Sequence, residues 1–291
     1  MSKSNSLILA LCGLALAVSP LPGQDTKAKK FEVLKGPATA KLGDVAQIEL
    51  PDGYSFVDGK TTRTLLKSWG EPTSGRELGL LKPASTNDHW SVYFEYDETG
   101  YVKDDDKNKL DADKLLQSIV KGNDAANKER ERAGNPPLII VGWEQPPKYD
   151  ETTHNLEWAI RATSEGRPVL NYNTRLLGRK GVMEVVLVVG PEELPATLPE
   201  FKKLLADYKY QSGQTYAEYK PGDKVAKYGL AALVVGGAAV GAAKLGLLGP
   251  LILLFKKAWK LVVIAVVAVV ASFTKILGRL FGGRRDSGMP Q

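Results

Sequence analysis

The chain has 291 residues, a formal net charge of +6 and a single cysteine, Cys12. From Lys224 onward, ten Lys and Arg accompany one acid, Asp286, a net of +9, so residues 1–223 carry −3. A mildly acidic folded part argues against nucleic acid as a partner, because nucleic-acid binding needs a basic face. One cysteine excludes a disulfide framework and a zinc site built on cysteines.

Residues 1–23 have the parts of a secretory signal peptide. Lys3 precedes a short apolar run over 7–18, and Ala15 and Ala17 are small residues at the positions that a signal peptidase reads. The predicted cleavage lies near Val18. An uncleaved N-terminal anchor is the alternative, although the run is short for a membrane span. Residues 24–30 form a polar linker, and an exported domain is predicted over 31–222.

The first half of this domain alternates strands with one helix. Residues 46–50 alternate as a strand does and end at the turn signal 51–53. Asp58 is placed to cap a helix that continues through Trp69. The predicted inward side of this helix comprises Leu65, Leu66 and Trp69. Residues 90–96 alternate as a strand with an aromatic inner face.

The second half predicts a long helix and a run of adjacent strands. The helix spans 111–133 and ends at a Gly-Asn-Pro-Pro stop signal. Its predicted apolar stripe comprises Leu115, Leu116, Ile119 and Val120. The strands that follow are predicted over 138–143, 156–162, 170–176 and 182–189, with a short helix over 199–207 and an edge strand over 208–210. Short turns between these strands indicate an antiparallel sheet covered by helices, which is an α+β fold.

Six segments of the chain resemble the bacterial DUF2167 family. They are KLGDVAQIELPDGYSFV at 41–57, GYVKDDD at 100–106, ANKERERAG at 126–134, GWEQPPKYDETTHNLEW at 142–158, NYNTRLLGRKGV at 171–182 and DKVAKYGLAALVVGG at 223–237. The resemblance implies an exported, membrane-tethered domain, and it implies no activity. The order of the elements is also similar to that of the PsbP-like α/β/α sandwich, whose members serve binding and assembly more than catalysis.

One predicted strand carries a row of polar side chains that could bind a ligand. Asn171, Asn173, Arg175 and Arg179 would share one face of the strand and its turn, because alternate side chains point the same way. Amides and guanidinium groups together suit an anionic or glycan ligand. The alternative is structural: an exposed sheet face, or a network that pairs with acids on the neighbouring strand.

No motif predicts a metal site, a cofactor or a catalytic centre. Asp104 and Asp106 are weak candidates for calcium, because the turn glycine and the bidentate glutamate of a calcium loop would fall at Lys109 and Leu115. A solvated acidic loop before a helix is the favoured interpretation. The chain contains no GxSxG or HExxH sequence, and its two histidines have no such spacing.

The C-terminal part is predicted to anchor the domain in a membrane. No charge occurs over 228–243 or over 261–274. Two transmembrane helices, about 228–248 and 259–280, are favoured within an anchor over 223–281, followed by a polar tail over 282–291. Two alternatives to these spans stay open: one span over 228–255 with a basic amphipathic or re-entrant segment after it, and a buried hairpin of core helices. Gly237 and Gly241 have the GxxxG spacing that suits close helix packing in lipid, and a chance match is the alternative for this spacing.

These patterns predict a non-catalytic protein of the bacterial cell (inner) membrane. Its globular domain would lie on the extracytoplasmic, periplasmic side and would bind or scaffold partners at the cell envelope. The predicted partners are membrane lipid and an unidentified envelope protein. The alternative is an envelope hydrolase that uses carboxylates not recognisable from the sequence.

Overall fold

The computed structural model describes residues 31–71, 73–85, 88–132 and 134–236. Eleven strands are described in these ranges: β1 (Leu34–Lys35), β2 (Ala38–Leu42), β3 (Ala46–Leu50), β4 (Tyr54–Asp58), β5 (Glu77–Pro83), β6 (Ser91–Asp97), β7 (Ile139–Asp150), β8 (Asn155–Ser164), β9 (Arg167–Leu177), β10 (Val182–Val189) and β11 (Tyr208–Tyr210). Four α-helices accompany them: α1 (Gly59–Ser68), α2 (Ala112–Arg132), α3 (Leu194–Ala206) and α4 (Leu230–Val234).

The strands form two antiparallel sheets. The large sheet has eight strands in the order β1-β4-β5-β6-β10-β9-β8-β7, and the small sheet has the order β11-β3-β2. The meander from β7 to β10 pairs strand by strand, because short turns join consecutive strands. The predicted α+β fold with an antiparallel sheet is therefore confirmed, and the strands predicted over 90–96, 156–162, 170–176 and 182–189 share the large sheet. The strands predicted over 46–50 and 208–210 pair with each other in the separate small sheet.

Both faces of the large sheet are covered, which gives the domain three layers. On one face, the small sheet and α3 pack against alternate residues of the central strands, around Phe94, Tyr172 and Phe201. On the other face, α2 places Leu115 and Ile119 against β8, and α1 places Leu66 against β5, β6 and β10. The central strands β6, β9 and β10 are consequently buried on both sides rather than open to solvent on one.

The helices lie where the sequence predicts them, but two side chains and the start of one helix differ from the prediction. Asp58 caps α1 as expected, because its Oδ1 accepts a hydrogen bond from the Thr61 amide at 2.7 Å. Trp69, predicted to point inward, is 47 % exposed, because α1 has already ended and Trp69 is its C-cap. Val120 is likewise exposed on α2. The third helix begins at Leu194 rather than at Pro199, which lies inside it.

Strand β7 is longer than its sequence predicts. It continues past Trp143, through Pro146 and Pro147, to Asp150. Proline cannot donate to a ladder of hydrogen bonds and is tolerated on an edge strand, where one side of the backbone needs no partner. β7 is an edge strand of the large sheet, so these prolines fit within it and do not end it.

The start of the predicted anchor belongs to the folded domain. Leu230, Leu233, Val234 and Val235 are buried in the cluster that α2 and β8 form, and Leu230 is fully buried. The domain therefore extends past residue 222, where the sequence analysis ended it. The first predicted span begins at Tyr228, and its stretch up to residue 236 lies in or beside α4; the rest of both predicted spans lies outside the described residues. In the described part of the chain, up to residue 236, none of the helices has the length and apolar character needed to cross a membrane.

Candidate functional site

The predicted polar row lies on one face of β9. Asn171, Asn173 and Arg175 alternate with Tyr172 and Thr174, and all three polar residues are buried. Asn173 Nδ2 donates a hydrogen bond to the Asn171 backbone oxygen at 3.1 Å. The row runs along the seam between α1, which covers β10, and α2, which covers β8. The three side chains thus share one face of the strand, as the alternation in the sequence predicts.

Arg175 is engaged by its neighbours in the sheet. Its Nη2 lies 3.1 Å from Oε2 of Glu184, the residue directly opposite on β10. Its guanidinium carbon lies 4.7 Å from the centre of the Trp158 ring on β8, within the range of a cation–π contact. This is the pairing with an acid of the neighbouring strand that the sequence left open as an alternative.

A second arginine, which the sequence analysis missed, joins Arg175 in one charged network. Arg76, which directly precedes β5, lies 3.3 Å from Glu184, 3.5 Å from Glu95 and 3.2 Å from Asp97. Arg76 thereby links acids on β6 and β10 across the strand pair. No local pattern identifies such a residue, because its three partners are between about 20 and 110 positions away in the chain.

Glu77 and Glu95 are the most deeply buried acids of this network. They face each other on β5 and β6 and are 2 % and 7 % exposed. Ser74 donates to both of them, through its amide to Glu77 Oε1 at 2.6 Å and through its hydroxyl to Glu95 Oε2 at 2.8 Å. Arg63 of α1 contributes a hydrogen bond to the Glu77 backbone oxygen and lies 3.7 Å from its Oε2.

Burial shifts the ionisation of Glu95. Removal from water raises its pKa to about 7, and the negative charge of Glu184 acts in the same direction. The Ser74 hydrogen bond and the Arg76 charge oppose this rise without cancelling it. With every group ionised, the network holds four carboxylates against three guanidinium groups. These are Glu77, Glu95, Asp97 and Glu184 against Arg63, Arg76 and Arg175. Such a network is a poorer match for an anionic ligand than the β9 row alone suggested.

Two atoms of the β9 row have spare hydrogen-bonding capacity. Asn171 Oδ1 and Arg175 Nε are buried and have no hydrogen-bond partner within the described residues. One is an acceptor and the other a donor, so a hydroxyl group or a water molecule could satisfy either. Binding of a ligand by this row stays a prediction.

Arg179, the fourth member of the predicted row, binds the C-terminal segment instead. Its Nε and Nη2 lie 2.7 and 2.8 Å from the two carboxylate oxygens of Asp223, a bidentate pair. Hydrogen bonding from Arg179 lowers the pKa of Asp223 to about 2. The structure therefore assigns Arg179 a partner on the segment that leads to α4.

The two aspartates considered for calcium also have protein partners. Asp104 Oδ2 accepts a hydrogen bond from the Tyr149 hydroxyl at 3.0 Å. Asp106 accepts hydrogen bonds from the amides of Leu230 and Ala231, at 3.0 and 3.1 Å, and so holds the start of α4. A Cβ on Gly229 would lie 2.6 Å from Asp106 Oδ1, so a side chain there would displace the Asp106 carboxylate from this position. Across the described residues, no three His, Cys, Asp or Glu side chains are grouped to hold a metal ion.

The remaining predicted site residues, Gly237 and Gly241, lie outside the described residues, and their helix-packing role stays a prediction. The segment before them is well fixed. The Tyr228 hydroxyl donates to Asp97 Oδ2 at 3.1 Å, which joins the C-terminal segment to the charged network through Arg76.

Several solved structures resemble this fold. The PsbP protein of Synechocystis sp. PCC 6803 (CyanoP) is 12 % identical, with 65 % of this chain and 99 % of that chain covered and a TM-score of 0.35. A protein of unknown function from Pseudomonas aeruginosa, PA94, described as a putative regulator, is 15 % identical over 57 % of this chain and 91 % of its own, with a TM-score of 0.23. A point mutant of the protein Mog1 is 9 % identical over 62 % of this chain and 95 % of its own, with a TM-score of 0.29.

The sequence itself matches one family model and no curated protein. The model is described as "Protein of unknown function (DUF2167)", and it matches residues 34–267. The match begins at the first strand of the domain and continues through the charged network and α4 into the apolar C-terminal sequence. The resemblance inferred from the six segments is confirmed, and the chain belongs to the DUF2167 family.

Proposed function

We propose that this protein is a membrane-anchored, extracytoplasmic module that binds or scaffolds a partner at the bacterial cell envelope without catalysis. The observation that carries the proposal is the docking of residues 223–235 in the domain. The pair of Arg179 with Asp223, the Tyr228 hydrogen bond and buried α4 make the root of the C-terminal segment part of the fold. The sequence that follows is rich in apolar residues and has no charge over 237–243 or over 261–274.

The docking fixes the beginning of the C-terminal segment on the domain. Residues up to Val235 are held by side-chain hydrogen bonds and by apolar burial. The proposed membrane segment would begin after these residues, in the apolar sequence that follows.

Two truncations test the anchor. Removing 237–291 should release a folded domain into the soluble extracytoplasmic fraction, because α4 and its contacts remain. Removing 223–291 should destabilise the domain as well, because it exposes Val102, Leu115 and Leu156. Retention of the first variant by membranes after alkaline extraction would contradict the proposal. The full-length chain should resist that extraction.

A reporter fused after Gln291 tests the topology of the anchor. With an exported domain and two spans, a reporter that is active only in the cytoplasm should stay silent. A signal from it would indicate an odd number of crossings and favour a single span. Export of the domain is tested separately, by determining the N-terminus of the mature protein with mass spectrometry.

The second candidate function is an envelope hydrolase with a carboxylate site. It is favoured by Glu95, whose pKa of about 7 suits a general acid near neutral pH. The near-complete burial of Glu77 and Glu95 opposes it, because a substrate must reach the acid that protonates it. Glycan or ester hydrolysis by the purified protein that is lost in Glu95→Gln, while the variant still folds at the assay pH, would establish this function over the scaffold.

A further inference from the structure

Aromatic rings are stacked face to face beside the start of the C-terminal segment. The ring centre of Tyr101 lies 4.4 Å from that of Tyr216 and 4.2 Å from that of Tyr219, with the ring planes inclined by 19° and 26°. His154 packs on Tyr216, with ring centres 4.4 Å apart. Aromatic pairs in proteins usually meet offset or edge-on, with centres about 4.5–7 Å apart. Tyr101 is therefore in unusually close contact with two other tyrosine rings.

The backbone around Tyr101 holds it against the same part of the chain. The Tyr101 amide donates to the Lys224 oxygen, and the Ala226 amide donates to the Tyr101 oxygen, both at 2.8 Å. The Tyr216 hydroxyl donates to the backbone oxygen of Val102 at 3.0 Å. Tyr101 follows β6, whereas both tyrosines that stack on it belong to the segment that follows β11. The stack therefore joins the end of β6 to the segment that leads into the docked C-terminal residues.

The three tyrosines differ in their access to solvent. Tyr101 and Tyr219 are half-buried, whereas Tyr216 is only 8 % exposed. A reagent in solution can therefore reach Tyr101 and Tyr219 more readily than Tyr216. The pair with the shorter distance between ring centres is also the pair that solvent reaches.

Two tyrosines in ring contact can be joined by oxidation. Each phenol gives up one electron and its hydroxyl proton, and the unpaired electron of the resulting radical is shared with the ring carbons ortho to the oxygen. A carbon–carbon bond then forms between ortho carbons of the two radicals, and each ortho hydrogen returns to its oxygen to give dityrosine. A haem peroxidase can supply the oxidation: one hydrogen peroxide takes up the two electrons and two protons and becomes two water molecules.

We propose that Tyr101 and Tyr219 form an oxidative crosslinking site, where dityrosine would tie the start of the C-terminal segment covalently to the domain. The proposal goes beyond the scaffold function and does not depend on the membrane anchor, because both tyrosines belong to the folded domain. The oxidant is a one-electron oxidant of the peroxidase class. The crosslink would add a covalent bond to a segment that hydrogen bonds and apolar burial already hold.

Peroxidase treatment of the full-length protein tests the site. The protein, dilute and in a mild detergent, is treated with a haem peroxidase and hydrogen peroxide, and crosslinked peptides of the monomer are identified by mass spectrometry. The expected product joins the peptides of Tyr101 and Tyr219 and has lost two hydrogen atoms. Tyr208 and Tyr210 are the internal control, because their ring centres are 5.2 Å apart but the planes meet edge-on at 85°. This pair should not couple.

Two conservative variants separate the site from general oxidation. Tyr219→Phe should lose the crosslink to Tyr101, whereas Tyr208→Phe should retain it, and melting before oxidation checks that both variants fold. The oxidised wild-type monomer should unfold at a higher denaturant concentration than the untreated protein, because a covalent link that closes a long loop restricts the unfolded chain. Tyr219→Phe should not show this rise.

The product map decides the outcome. A monomer without the product of Tyr101 with Tyr219, under conditions that couple free tyrosine, would overturn the proposal. Coupling of Tyr101 to Tyr216 instead would also contradict it, because access and ring distance both favour Tyr219.

Discussion

Replacing Glu95 by Gln should change how the stability of the domain depends on pH. Glu95 has a pKa of about 7 in the folded protein, against an ordinary value of 4.5. The folded state therefore binds more protons than the unfolded state between these values, and the free energy of unfolding falls as pH rises through that window. The stabilising contribution is complete below pH 4.5 and is lost above pH 7.

The size of the effect follows from the shift. Each pKa unit corresponds to about 1.4 kcal/mol, so the wild-type protein should lose up to about 3 kcal/mol between the two limits through Glu95. Glu71 has a raised pKa, also because of burial, and adds to the slope with the same sign. The lowered pKa of Asp223 acts below the window. The difference in slope between wild type and Glu95→Gln thus isolates Glu95.

Denaturant unfolding of the full-length protein in a mild detergent, followed by tryptophan fluorescence at several pH values, measures this slope. Glu95→Gln should flatten it, because the amide is neutral throughout and can keep one hydrogen bond from Ser74. Glu131→Gln, on the exposed side of α2, is the matched control and should retain the wild-type slope. Equal slopes for wild type and Glu95→Gln would refute the assignment of a buried, proton-binding Glu95.

Four further predictions test the fold, the tail and the export signal. Ile119→Asp should destabilise the domain by several kcal/mol in thermal or denaturant unfolding, because it buries an unpaired charge, whereas Val120→Asp on the exposed side should cost little. Leu233→Ala should lower the free energy of unfolding by about 2–4 kcal/mol, since it leaves a cavity under α4. Asp106→Ala should lower the free energy of unfolding by about 1 kcal/mol, because the start of α4 loses the carboxylate that caps it. The melting temperatures of the wild type and of Asp106→Ala should not change with EDTA or Ca²⁺. Mass spectrometry should find the mature N-terminus between residues 18 and 24, and an intact Met1 would contradict export.

The central strands were predictable because their information is local. Alternation along β8, β9 and β10 is imposed by the pleat, so it identifies both the strand and the residues that share a face. The same rule placed Asn171, Asn173 and Arg175 together. Alternation does not tell whether a second layer covers the polar face. The small sheet, α1 and α2 cover both sides here, so residues such as Glu95 are buried and not solvated.

The partners of the polar residues could not be predicted, because they are distant in the chain. Arg76 lies in the segment before β5, which has no distinctive local sequence, and its partners come from β6 and β10. The start of the apolar C-terminal run was ambiguous for a different reason. Burial against protein and burial in lipid select the same residue types, so Leu230 and Leu233 resemble a membrane span in sequence while the fold buries them in a protein core.

The charged network and the C-terminal segment form one physical unit. Glu95, Glu184 and Asp97 all form ion pairs with Arg76. Asp97 also accepts a hydrogen bond from Tyr228, which precedes Gly229 at the start of α4. Loss of the Glu95 charge removes one attraction for Arg76 and leaves Asp97 and Glu184 as its carboxylate partners. Contacts that share a partner do not contribute independently, so Glu95→Gln and Tyr228→Phe should be non-additive in stability. The charged network around the β9 row therefore also contributes to fixing the C-terminal segment from which the proposed membrane anchor would begin.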